Sequence, residues 1–113
     1  MSPSEQPQIP DGASVFPLIP AELGIDPLLL AVLHAVVFLG GSVESIVHPD
    51  AADEALEYVA GYLQRLEGDR LQRVREDMQC LVTFARQEEW PREQVQLLKQ
   101  FLKSNGVAEE GEA

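Results

Sequence analysis

The stretch that decides the fold is residues 27–39, which read PLLLAVLHAVVFL. Nine of its residues are large and apolar, and His34 is its single polar side chain. Asp26 is a good N-cap, Pro27 suits the first helical position, and the glycine pair that follows can end a helix. We therefore predict a helix over 27–39. Because it is apolar all round, it should be buried on most sides.

Three amphipathic segments follow, and each is predicted to form a helix: 51–66, 70–88 and 91–104. Their apolar residues recur at three- and four-residue spacing. These are Ala52, Leu56, Val59, Leu63 and Leu66, then Leu71, Val74, Met78, Leu81 and Ala85, then Val95, Leu98, Phe101 and Leu102. No stretch shows strand alternation with turn chemistry. The sequence thus predicts an all-α, small four-helix bundle-like domain over residues 26–106.

Gly68 separates the second helix from the third. The apolar phase slips by one residue there, which favours a tight helical hairpin at residues 67–69. Asp69 and Gln72 form a plausible capping pair for the third helix. One long helix through Gly68 is the alternative, since a glycine costs only about 1 kcal/mol inside a helix.

The two ends of the chain differ from this middle part. Residues 1–25 contain five prolines and are expected to form an extended, partly disordered leader. Within the leader, residues 15–19 carry four large apolar side chains, so we expect them to lie along the domain or along a partner chain. Residues 107–113 are expected to be an acidic disordered tail.

The charge distribution restricts the partners. The net charge is −11, and residues 1–64 contain no Lys or Arg. Nucleic acid and anionic membranes are therefore not expected as partners. A protein with a basic surface would fit, although acidity can also serve solubility alone. The sequence begins without the positively charged region of a secretory signal, and its longest apolar run is too short to cross a bilayer. It contains a single cysteine, which suits a reducing compartment. We therefore predict a cytoplasmic protein.

No residue pattern predicts catalysis, a cofactor or a bound metal. His34 is expected to be a core histidine rather than a ligand, because no second histidine lies one turn away. Cys80 is expected to be a packed thiol in mid-helix. Four residues at the start of the second helix could hold a cation, but capping explains acids there equally well: His48, Asp50, Asp53 and Glu54.

The helix over 27–39 also predicts a homodimer. Three amphipathic helices can surround it only partly. Leaving three of its large side chains exposed to water would lose about 5–9 kcal/mol of the free energy gained by burial. A second copy could cover that face, or the loop 40–49 and the leader could cover it within one chain. The expected interface residues are Leu29, Val32, Leu33, Val36, Phe16, Tyr62 and Trp90. For Tyr62 and Trp90, the sequence predicts equally well that the side chain packs at the rim of the chain's own core.

These patterns favour a non-enzymatic protein–protein interaction module, such as a helical adaptor, assembly factor or chaperone-like subunit, that is homodimeric through helix 27–39. An acidic inhibitor or immunity-type protein that blocks a basic protein surface is the alternative. A small-ligand sensor or enzyme using His34 is the third reading, and it would need a concave site with converging polar groups.

Overall fold

A computed structural model describes residues 10–107, and within that range the fold is built from helices without strands. A 3₁₀ turn spans Ala21–Leu23, and the α-helices are α1 Pro27–Gly41, α2 Pro49–Leu63, α3 Gly68–Gln87 and α4 Arg92–Ser104. The predicted all-α class and the small four-helix bundle-like domain are confirmed. The predictions for residues 1–9 and 108–113 lie outside the described residues.

The beginning of α1 follows its sequence signals. The carboxylate of Asp26 accepts a hydrogen bond from the N–H of Leu28 at 2.9 Å, and Pro27 occupies the first turn. The helix continues two residues beyond the predicted end, through Gly41. The N–H of Ser42 then donates to the carbonyl of Phe38, which closes the last turn.

The second helix starts two residues before the predicted position, because His48 caps it. The Nδ1 of His48 accepts a hydrogen bond from the N–H of Asp50 at 3.1 Å. At the other end α2 stops at Leu63 rather than at residue 66. There the N–H groups of Arg65 and Leu66 bond to carbonyls three residues back, so the chain tightens into a turn.

The chain breaks between α2 and α3 as predicted, although at residues 64–67 rather than 67–69, so the single long helix is wrong. Gly68 has φ +59°, a left-handed conformation that ends the preceding turn and opens α3. The predicted capping pair is also wrong. Glu67 occupies the N-cap position, Asp69 lies in the first turn, and the amide of Gln72 donates instead to Glu76.

Two glycine substitutions should have opposite effects on stability. Ala at Gly68 would have to adopt a left-handed conformation, so Gly68→Ala should lower the free energy of unfolding by about 1 kcal/mol. Gly61 lies inside α2 with open space around it, so Gly61→Ala should raise it by about 0.5–1 kcal/mol. Urea titrations of both variants would check this. Stabilisation by Gly68→Ala would contradict the left-handed conformation of Gly68.

The core lies between α1 and the α3–α4 pair, and part of the leader completes it. Its buried apolar side chains are Leu29, Leu33 and Val37 from α1, Met78, Leu81 and Ala85 from α3, Leu98 and Phe101 from α4, and Phe16, Ile19 and Ile25 from the leader. The leader thus packs against its own chain. Val107, assigned to the tail by sequence, is buried as well. Buried side chains therefore occur on both sides of the predicted range 26–106.

Helix α1 departs from its prediction in one respect. It was expected to be buried on most sides, yet only Leu29, Leu33 and Val37 are buried. These three residues lie along one stripe, which is the ordinary pattern of a helix packed on one face. Among the described residues, neither the leader from residue 10 onward nor the loop after α1 covers the opposite side.

Candidate protein-interaction surface

The exposed side of α1 is apolar from end to end. It consists of Leu28, Ala31, Ala35 and Phe38, which we call the outer face of α1. Leu28 is 72% exposed and Phe38 39% exposed, and both alanines are exposed. At ~100° per residue, all four lie opposite Leu33 within a sector of about 80°. The helix carries no charged side chain, so nothing polar interrupts this face.

An apolar groove adjoins the outer face. It has a volume of about 280 Å³ and lies where α1, α2 and α3 meet. Leu28 and Val32 form one wall, Val59 and Tyr62 another, and Val74 contributes from α3. Because Leu28 belongs to both features, the groove and the outer face form one continuous apolar surface.

The aromatic side chain of Tyr62 lines this groove. Tyr58 and Tyr62, one turn apart on α2, are both largely exposed. The guanidinium carbon of Arg65 lies 4.8 Å from the centroid of the Tyr62 ring, which is the geometry of a cation–π contact. Large aromatic residues beside an apolar groove are the type of side chain that carries most of the binding energy in protein interfaces.

The structure places some of the predicted interface residues in the core and others at the surface. Leu29, Leu33 and Phe16 lie in the core of their own chain, so they offer almost no surface to a partner. Val32 and Val36 are half-buried on the flank of α1. The four residues of the outer face were not singled out from sequence. Their helical spacing can be read from the sequence. In a helix that is apolar on every side, however, this spacing does not distinguish the exposed face from the buried one.

Trp90 forms the rim of the core rather than a free anchor. Its ring meets Phe16 and Phe84 edge to face, with centroid distances of 5.6 and 6.0 Å. The backbone N–H of Trp90 donates to the carbonyl of Ala85, because Glu89 before it adopts a left-handed conformation with φ +56°. Trp90 therefore joins the end of α3 to the leader.

His34 belongs to the same aromatic cluster. Its ring lies 5.3 Å from that of Phe16, again edge to face, and the residue is half-buried. On the helix surface it lies on the flank opposite Val32, and therefore away from the groove. Its surroundings are those of a packing residue.

An ion pair between the exposed Arg73 and the buried Asp77 positions the start of α1. The Asp77 carboxylate accepts hydrogen bonds from Nε of Arg73 at 2.9 Å and from the N–H of Asp26 at 3.0 Å. Arg73 also donates to the carbonyl of Gly24 at 2.8 Å. The hydrogen bond that Arg73 donates to Asp77, and then the negative charge of Asp77, raise the pKa of the Arg73 guanidinium. α3 thereby holds the segment that leads into Leu28.

Comparison with known proteins assigns no family to this chain. No family model matches the chain, and no curated protein or solved structure is significantly similar to it.

Among residues 10–107 no group of three or more His, Cys, Asp or Glu side chains is placed to hold a metal ion. No helix in the same range is long and apolar enough to cross a membrane. Cys80 is a half-buried free thiol.

Proposed function

We propose that this chain is a non-enzymatic protein–protein interaction module that forms a homodimer through α1. Its role would be that of a helical adaptor, assembly factor or chaperone-like subunit. The observation that supports this most is the outer face of α1, where Leu28 and Phe38 stand exposed on a helix without charge.

The outer face of α1 is uncharged whereas the chain as a whole is strongly acidic, and this contrast supports pairing through α1. A protein with net charge −11 repels its own copies wherever its acidic surfaces meet. The outer face of α1 carries none of that charge, so two copies can approach there without repulsion. The central Ala31 and Ala35 would allow the two helix backbones to come close.

Light scattering of the full chain tests the proposal. Over the micromolar concentration range we expect a mass twice the 12.5 kDa of one chain. Ala35→Glu should shift the population to monomer, because it would place two carboxylates in an apolar contact. Ala35 is exposed, so the variant should keep its helical circular dichroism.

Gln100→Glu is the matched control. It adds the same charge on the solvent side of α4, away from the buried residues Leu98 and Phe101. This variant should remain dimeric. A wild-type mass of one chain at every concentration would overturn the proposal, and equal loss of dimer in both variants would assign the effect to net charge.

A second candidate function rests on α2. Its four acidic residues, Asp50, Asp53, Glu54 and Glu57, are all exposed, and the helix carries no base. Such a face suits an acidic inhibitor or immunity-type protein that covers a basic protein surface. Ala35→Glu leaves α2 intact. Salt-sensitive binding of a basic protein that survives this substitution would favour the second candidate.

A further inference from the structure

We infer that two copies of this chain pair through α1 in antiparallel orientation. Leu28 of each chain would then lie against Phe38 of the other, and Ala31 against Ala35. The inference rests on the proposed self-association and adds its geometry.

The positions of the outer face are symmetric along α1. Leu28 and Phe38 lie five residues before and after Leu33, and Ala31 and Ala35 lie two residues before and after it. In an antiparallel pair, residues equidistant from the centre face each other across the two-fold axis. The large side chains would therefore meet at both ends, and the small ones would meet in the middle, where the backbones approach most closely.

The charges beside the two ends of α1 favour the antiparallel pairing over a parallel one. At the Leu28 end, Arg70 and Asp26 both line the groove and Arg65 stacks on Tyr62, so charges of both signs lie there. At the other end, Gly40 faces Leu56, and α2 begins nearby with its exposed acids Asp50, Asp53 and Glu54. Antiparallel pairing keeps the two acidic starts of α2 at opposite ends of the contact. Parallel pairing would place them side by side, where they repel each other.

The size of the contact indicates which neighbouring residues take part. Stable complexes bury about 800 Å² on each partner. The outer face spans ~15 Å of helix and about one helix width, which is too little by itself. The groove adjoins it at Leu28, so the exposed ring of Tyr62 is expected to become covered in the dimer.

Disulfide trapping distinguishes the two orientations. Cys80 is the single cysteine of the chain, so Cys80→Ala gives a background without thiols. Ala31→Cys and Ala35→Cys are then made in separate chains, one of which carries an affinity tag so that mixed pairs can be resolved on a non-reducing gel. In an antiparallel pair, residue 31 faces residue 35, whereas two copies of residue 31 are offset by about 6 Å along the axis.

The mixture of the two chains should cross-link at least about tenfold faster than either chain alone, because only opposed positions meet the distance that a disulfide requires. Rapid cross-linking of either single variant with itself would overturn the antiparallel orientation and leave self-association standing. A dimer by light scattering without cross-links in any sample would show that another face pairs. A monomer throughout would overturn the proposed function as well.

Discussion

Phe16→Ala is expected to lower the free energy of unfolding by about 3–5 kcal/mol, the usual cost of removing a buried aromatic ring. Phe16 is 3% exposed and meets both His34 and Trp90 edge to face. Domains of this size have only about 5–15 kcal/mol of stability, so a large part of it would be lost. Chemical denaturation followed by helical circular dichroism would measure the change.

Leu18→Ala is the control for this prediction. Leu18 lies two residues further along the same leader but is 90% exposed, so its removal should change stability by less than about 0.5 kcal/mol. Similar destabilisation by both substitutions would mean that the leader contributes through its apolar character in general. A negligible effect of Phe16→Ala would mean that the leader does not belong to the folded unit.

The second large effect is expected at Leu33. Its side chain is fully buried, with 0% exposure, and faces the core between α3 and α4. Leu33→Ala should therefore destabilise the chain by about 2–5 kcal/mol, from lost burial and from the cavity that remains. Thermal or urea unfolding at a concentration where the chain is monomeric would give the value without a contribution from association.

Leu28→Ala removes the same atoms from the opposite side of α1. In the monomer it should change stability by less than about 0.5 kcal/mol, because Leu28 is largely solvated there. At higher concentration it should weaken dimerisation. If Leu28→Ala destabilised the monomer as much as Leu33→Ala, the assignment of one face of α1 to folding and the other to binding would be wrong.

This separation of faces makes the proposed function testable without disrupting the fold. Ala31 and Ala35 are exposed, so charges or cysteines placed there need not disturb the core. The buried Asp77 holds the entrance to α1 through Arg73 and the N–H of Asp26. That contact sets the position of the outer face relative to the groove, and it lies away from the variants proposed above.

Local patterns predicted most of the secondary structure. The apolar spacing located four helices, Asp26 and Pro27 marked the beginning of α1, and the phase slip at Gly68 separated α2 from α3. The helix ends were less accurate where backbone contacts decide them. His48 caps α2 with a ring nitrogen, and Glu67 rather than Asp69 precedes α3.

The candidate surface was predictable only in part. The sequence pointed to the helix over 27–39 as an interface, but several of the residues chosen, among them Leu33 and Phe16, proved to lie in the core. The periodicity of an amphipathic helix reveals its buried side because its polar side is different. α1 carries no charge and His34 alone is polar, so its periodicity gives no such distinction.

The amino-acid sequence alone determined that this chain is helical, where its helices lie to within two or three residues, and that its charge is acidic and unevenly placed. Those properties follow from contacts within a few residues and from composition. Only the tertiary structure decided that Phe16 completes the core from the leader, that Leu33 faces inward, and that Leu28 faces solvent. These outcomes depend on how segments far apart in the chain compete to cover one apolar helix, and no local pattern encodes which side of it they reach.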